Sequence, residues 1–168
     1  MKVINQHTRL IDQPKAFVSQ LFDTLATKND RIWPKENWPA MKFKDGLQIG
    51  NNGGHGRIRY TIIEFEPGCR IKFKFLKPDG FYGTHELVIE SVSEDSTEIR
   101  HEIRMKTSIK GYILWITMIR WLHDALIEDA FDKVENQFLS ENKETSHSFW
   151  VRCLRSIYKR KLSKTKQV

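Results

Sequence analysis

Residues 56–107, GRIRYTIIEFEPGCRIKFKFLKPDGFYGTHELVIESVSEDSTEIRHEIRMKT, decide the fold. Apolar and charged side chains alternate through the stretch, and three compact breakers cut it into four strands joined by hairpins. A two-residue Pro67-Gly68 connection opposes Glu66 to Cys69, and hence Glu64 to Ile71, Ile62 to Phe73 and Tyr60 to Phe75. A three-residue Pro78-Asp79-Gly80 loop, with glycine at the left-handed position, opposes Lys77 to Phe81, Phe73 to His85 and Ile71 to Leu87. Charge decides the last hairpin. A Glu94-Asp95-Ser96 loop faces Glu86 with Arg104 and Glu90 with Arg100, whereas a shift by two would oppose Glu86 to Glu102 and Glu90 to Glu98. The first register sets Leu87 against Ile103, Ile89 against His101 and His85 against Met105.

With a side-chain period of two, these pairings assign one face: Ile58, Tyr60, Ile62 and Glu64; Ile71, Phe73 and Phe75; Phe81, Gly83, His85, Leu87 and Ile89; Ile99, His101, Ile103 and Met105. The other face carries Arg57, Arg59, Lys72, Lys74, Glu86, Glu90, Arg100, Glu102, Arg104 and Lys106. An antiparallel sheet with one wet and one covered side follows. On the C-terminal flank, Gly111 opens a helix running to about Asn142. Its stripe of Leu122, Leu126, Ala130, Val134 and Phe138 covers the sheet, and Asp124, Glu128, Asp132 and Glu135 turn to water. The first turns, from Tyr112 through Trp115 to Leu122, are apolar nearly all round, which fits burial in the core and against another element or a second copy in a homodimer. On the N-terminal flank, Lys2–Ile11 reads as a strand whose register no turn sets. Pro14 then opens a helix with Ala16, Phe17, Leu21, Phe22 and Leu25 at helical spacing. Trp33 and Trp38 stand among prolines in a breaker-rich connection reaching Gly56, with at most one short strand between Met41 and Ile49.

The 168 residues, 39% hydrophobic and 29% charged, fit a single core. Cys69 and Cys153 form no metal-ligand or disulfide pattern, so no structural metal and no cofactor is expected, and a reducing cytoplasm is the simplest setting. No secretory signal is visible, and no apolar run approaches the roughly 20 residues that span a bilayer. The net charge of +7 lies wholly in residues 145–168, which hold seven basic residues and no acid. A neutral body with a basic appendage argues against a groove-wide nucleic-acid surface. Within residues 148–163, Trp150, Cys153, Leu154, Ile157 and Tyr158 recur at helical spacing among Arg152, Arg155, Lys159, Arg160 and Lys161. Such a helix folds back onto its own domain, or docks on a membrane surface or an acidic partner.

Several pieces together resemble the helix-grip fold of the START-like, or SRPBCC, superfamily, with its birch-pollen-allergen and polyketide cyclase branches. They are Thr8-Arg9-Leu10-Ile11-Asp12-Gln13-Pro14, Glu64-Phe65-Glu66-Pro67-Gly68-Cys69-Arg70, Gly83-Thr84-His85-Glu86-Leu87, Thr97-Glu98-Ile99-Arg100-His101-Glu102-Ile103 and Trp121-Leu122-His123-Asp124-Ala125-Leu126. The resemblance covers roughly residues 3–140. It implies an α+β fold in which a curved antiparallel sheet wraps a long C-terminal helix, with two short helices after the first strand and an apolar cavity between sheet and helix. It divides the chain into a ligand-binding domain, 1–144, and a basic amphipathic tail, 145–168. Members bind lipids, hormones, pigments or polyketide intermediates, and some catalyse cyclisation or dehydration without a universal catalytic motif.

The expected ligand site is therefore the inner face: Tyr60, Ile62, Phe73, Phe75, His85, Leu87, His101, Ile103 and Met105, with Trp115 and Leu122 from the helix. Its polar members are Tyr60, Glu64, His85 and His101, and His85 or Glu64 is the natural general base if the protein is an enzyme. In the expected register Glu64 and His85 stand on the order of 12 Å apart and His85 and His101 about 14 Å, too far for a hydrogen-bonded pair. Each histidine also reads as a satisfied interior residue, Glu64 as a solvated rim residue, and His123 as a surface or structural one. His7 and Arg9 join the inner face if the first strand pairs suitably. Three functions follow: binding of a small hydrophobic or aromatic molecule, a cyclase or dehydratase acting through an inner-face base, and an interaction module working through its tail.

Overall fold

In the computed structural model, which describes residues 1–165 and the side chains as far as Ile157, the alternation of residues 56–107 becomes four antiparallel strands. They are β4 (Ile58–Glu66), β5 (Arg70–Lys77), β6 (Phe81–Ser93) and β7 (Ser96–Thr107). Among the described residues, β1 (Lys2–Ile11) flanks them on one side and two short strands, β2 (Lys42–Phe43) and β3 (Asn52–His55), on the other. The resulting seven-stranded sheet has the order β1-β7-β6-β5-β4-β3-β2. A short helix α1 (Lys15–Ser19) and a 3-10 turn (Gln20–Thr24) follow β1. From residue 109 to 135 the chain is one helical rod: α2 (Ile109–Leu114), a π-helical turn (Trp115–Ile119) and α3 (Arg120–Glu135). The tail forms α4 (Phe149–Thr165). The molecule has the helix-grip fold.

Three bulges, at Ile63, beside Leu76 and beside Val92, separate the observed registers from the expected ones. At the first turn Glu66 pairs with Arg70 across Pro67-Gly68-Cys69, not with Cys69, and Gly68 takes a positive φ of 73°. An extra residue at Ile63 then restores Ile62 opposite Phe73 and Tyr60 opposite Phe75. Between turn and bulge the faces are exchanged: Phe65 pairs with Ile71 and packs on Phe22, and Glu64 turns outward beside Lys72. Burying Phe65 in place of a carboxylate gives the physical reason. The middle hairpin pairs Phe73 with His85 and Ile71 with Leu87.

The last hairpin overturns the expectation drawn from charge. Ser93 faces Ser96 over the two-residue turn Glu94-Asp95, and a bulge beside Val92 sets Glu86 opposite Glu102 and Glu90 opposite Glu98. Leu87 accordingly faces His101, Ile89 faces Ile99 and His85 faces Ile103. Cations from neighbouring positions offset the facing acids. Arg70 donates to Glu86 at 2.6 Å, Arg104 pairs with Glu102, and Arg100 lies within 4.0 Å of all four carboxylates. A slip by two keeps each side chain on its face, so the inner lining is unchanged while its neighbours differ.

The helical rod ends at Glu135, seven residues before the expected Asn142. Beyond it the Asn136 side chain bonds both the N–H and the carbonyl of Lys143, turning the chain back. The acids of α3 do not face water either. Strand β1 repeats every two residues, about 6.8 Å, close to the roughly 6 Å rise of four helical residues, so the two elements zip together. Asn5 bonds Asp124, His7 bonds Asp124 and Glu128, and Arg9 bonds Glu128, Asp132 and Glu135. Burial alone would raise the pKa of Glu135; Lys143 and Arg9 outweigh it and hold the carboxyl below its usual range. Of the all-round apolar segment, Trp115 enters the core, Thr117 accepts a bond from Trp150 of α4, and Ile113 and Ile116 stay exposed. No described helix is long and apolar enough to cross a membrane.

Candidate functional site

Between the sheet and the rod lies a cavity of about 640 Å³. Its floor is built by β5, β6 and β7 through Phe73, Phe75, His85, Leu87, His101 and Ile103. Its roof is the rod, through Trp115, Leu122, His123, Leu126 and Ala130. Trp33, Trp38 and His55 close the side towards β3, and Glu36, Asn37, Arg57 and Arg155 bring polar groups to the lining.

Eight of the eleven residues expected to line the site border this cavity: Phe73, Phe75, His85, Leu87, His101, Ile103, Trp115 and Leu122. Tyr60 and Ile62 lie fully buried in the core beneath it. Met105 packs with Val3, Phe81, Ile103 and Trp115 in a second apolar cluster. Glu64, expected on the inner face, is on the outer one, half exposed between Arg70 and Lys72, and takes no part in the site. His123 is neither a surface residue nor remote from the cavity. His55 was hidden in a glycine-rich stretch, with no period to reveal it, and the place of Ile119 and Phe131 in the wall was equally illegible.

The polar groups of the wall form a ladder of rings, and its His85–His101 step is the one the expected register kept apart. His85 stacks between Phe73 and Phe75 at 4.7 and 4.8 Å and meets the Tyr60 ring edge-on at 4.7 Å. His101 lies 5.6 Å from His85 and 4.9 Å from His123, centroid to centroid. At the other end His55 Nδ1 and the Tyr60 hydroxyl are hydrogen-bonded at 3.1 Å. Burial drives all four imidazoles towards the neutral form. It pulls His55 down to about 3, takes His85 and His101 well below the usual histidine value, and lowers His123 against the opposing pull of Asp124. Burial likewise raises the Tyr60 phenol. His85 Nε2, His101 Nδ1 and both His123 nitrogens are buried without a hydrogen-bond partner in the protein.

At the mouth, Trp33 Nε1 donates to the Pro39 carbonyl and Trp38 Nε1 to Asp129. Arg155 of α4 places its guanidinium 4.5 Å from the centre of the Trp38 ring, donates to the Asn37 carbonyl and meets His147, whose other nitrogen bonds Asp129. Val151 and Leu154 are buried, so this part of the tail is folded against the body. The expected contributions of Tyr158, Lys159, Arg160 and Lys161 lie outside the described side chains.

No protein-family model matches this chain, and no curated protein matches it by sequence. Solved structures do resemble it. A protein from Thermobifida fusca shares 10% identity over 85% of this chain and 99% of its own, with a TM-score of 0.63. Norcoclaurine synthase from Thalictrum flavum, in complex with dopamine and hydroxybenzaldehyde, shares 11% over 84% of this chain and 90% of its own, with a TM-score of 0.62. CalU16 from Micromonospora echinospora shares 13% over 95% and 96%, with a TM-score of 0.55. At such identities the likeness is one of fold, the helix-grip fold.

Proposed function

We propose that this protein binds one small, mostly aromatic molecule carrying a hydrogen-bonding group, held between sheet and rod. The observation that carries the reading is the set of buried histidine nitrogens without partners in the wall of a 640 Å³ cavity. That volume falls within the roughly 300–1,000 Å³ of small-molecule sites. An unpaired buried polar atom costs about 1–3 kcal/mol, which a phenol, amide or carbonyl of the ligand would recover. Aromatic faces from Phe73, Phe75, Trp33 and Trp115 suit a flat ring. Burying about 300 Å² of it is worth roughly 7 kcal/mol before the cost of immobilisation. The like-folded norcoclaurine synthase, known with dopamine and hydroxybenzaldehyde, supports an aromatic ligand.

Binding is favoured over catalysis because the wall histidines are held neutral with a depressed affinity for protons, which suits donating and accepting hydrogen bonds better than abstracting a proton. An apolar fluorescent probe should bind with one-to-one stoichiometry, and His85→Trp, which fills the cavity, should abolish the signal. Undiminished binding to that variant, with its fold intact by circular dichroism, would overturn the assignment of this cavity. Mass spectrometry of molecules that copurify with the native protein would identify the ligand.

A further inference from the structure

Behind the His123 side of the cavity wall, where β1 zips onto α3, ligand atoms of His7, His123 and Asp124 lie within 4.8 Å of one another. We infer that these three residues bind a divalent transition-metal ion of the zinc type. Two imidazoles and one carboxylate are the donor set of such ions rather than of calcium or magnesium, which take oxygen. The spacing agrees. A tetrahedral ion with bonds of about 2.0–2.1 Å holds its ligand atoms about 3.3 Å apart. Here His7 Nε2 is 3.1 Å, and His123 Nδ1 3.6 Å, from the same Asp124 oxygen, Oδ1.

Independent support comes from the surroundings of each ligand. His123 has both nitrogens buried and unpartnered, and 3.6 Å to Asp124 is too long for a hydrogen bond; a bound cation gives Nδ1 its partner. His7 turns its other nitrogen, Nδ1, onto Glu128 at 2.8 Å, and Arg9 holds the second oxygen of Glu128 at 2.9 Å. A carboxylate behind the histidine that orients it towards the ion is the usual outer support of a zinc-type ligand. Asn5 donates to Asp124 Oδ1 at 3.0 Å, and the exposed Arg120 approaches Oδ2 at 3.5 Å. Three protein ligands leave a fourth position for water or an added molecule. Since His123 also lines the cavity, the ion fixes the ring that a cavity ligand meets.

The test is a Co²⁺ titration of the full chain after treatment with a chelator, followed by the visible absorption of the ion and by displacement with Zn²⁺. One equivalent should bind and give the intense spectrum of a low-coordinate site. His123→Ala should lose it, and Glu128→Gln should weaken binding by about 10–100-fold. Asp124→Asn keeps the shape of the side chain, so it remains informative should His123→Ala fail to fold; it should weaken binding at least tenfold. A spectrum unchanged from aqueous Co²⁺, or affinities in folded His123→Ala or Asp124→Asn equal to that of the parent, would overturn the site.

Discussion

His85 shows how a single side chain can be polar, buried and tolerated at once. Its ring is 5% exposed, sandwiched between two phenylalanines, and its affinity for protons is depressed by burial and then by His55 and His123. In the unfolded chain the same imidazole titrates near its ordinary value of 6.5. As the pH falls below 6.5 the unfolded state takes up a proton that the folded state refuses, so stability is present above that pH and is lost on acidification. His55, with a folded value of about 3, adds loss down to that pH. Each such histidine contributes a slope of up to about 1.4 kcal/mol per pH unit. Replacing His85 by Phe should therefore flatten the fall in unfolding free energy between pH 6.5 and 4, measured by urea denaturation at several pH values. An unchanged slope would mean that His85 takes up its proton in the folded protein.

At the scale of elements, the β6–β7 pair explains why charge misled the reading of the sequence. Direct opposition of Glu86 with Glu102, and of Glu90 with Glu98, looks unfavourable when two strands are read alone. In the sheet, β5 supplies Arg70 and Lys72 to Glu86 from the far side, and Arg100 of β7 reaches Glu98 and Glu102 along its own strand and Glu86 and Glu90 across the pair, so the facing acids have cations that direct opposition alone does not count. Arg100→Ala should cost about 1–3 kcal/mol, since it strips compensation from partly buried carboxylates. The loss should shrink as salt screens the repulsion left behind. Denaturant midpoints at low and high ionic strength check this; a loss independent of salt would point to lost packing of the Arg100 stem instead. The same limit applied to α3, whose acids lie on the face a helical wheel assigns to solvent yet meet His7 and Arg9 on a strand more than a hundred residues away.

For the whole molecule, α4 ties the far end of the chain to the mouth of the cavity. Arg155 joins the Trp38 ring, the Asn37 carbonyl and His147, and with Glu36 and Asn37, both exposed, it lines the cavity. A cation–π contact of this kind is worth about 0.5–1 kcal/mol at a partly exposed site, a factor of about two to five in a rate. Arg155→Ala should speed dissociation of a bound probe by at least that factor in stopped-flow measurements while leaving the global unfolding free energy nearly unchanged. An unaltered release rate would mean that the ligand leaves by another path.

What the residues determined by themselves is local and periodic. The alternation over 56–107 assigned the inner face, the proline and glycine turns placed the hairpins, and the apolar stripe of the C-terminal rod showed what covers the sheet. That was enough for an antiparallel sheet covered by a C-terminal helix and for most of the cavity floor; the helix-grip architecture followed from the family resemblance. Only the tertiary structure decided the bulges at Ile63 and Val92, the register of β1, and with them the convergence of His55, Tyr60, His85, His101 and His123. The physical reason is that a two-residue slip leaves every side chain on its own face, invisible to a pattern of period two, while moving its neighbours along the strand by about 7 Å, and a one-residue bulge exchanges the faces only between itself and the turn. What settles that choice is burial of Phe65 and sharing of cations across three strands, and neither is present until the sheet is assembled.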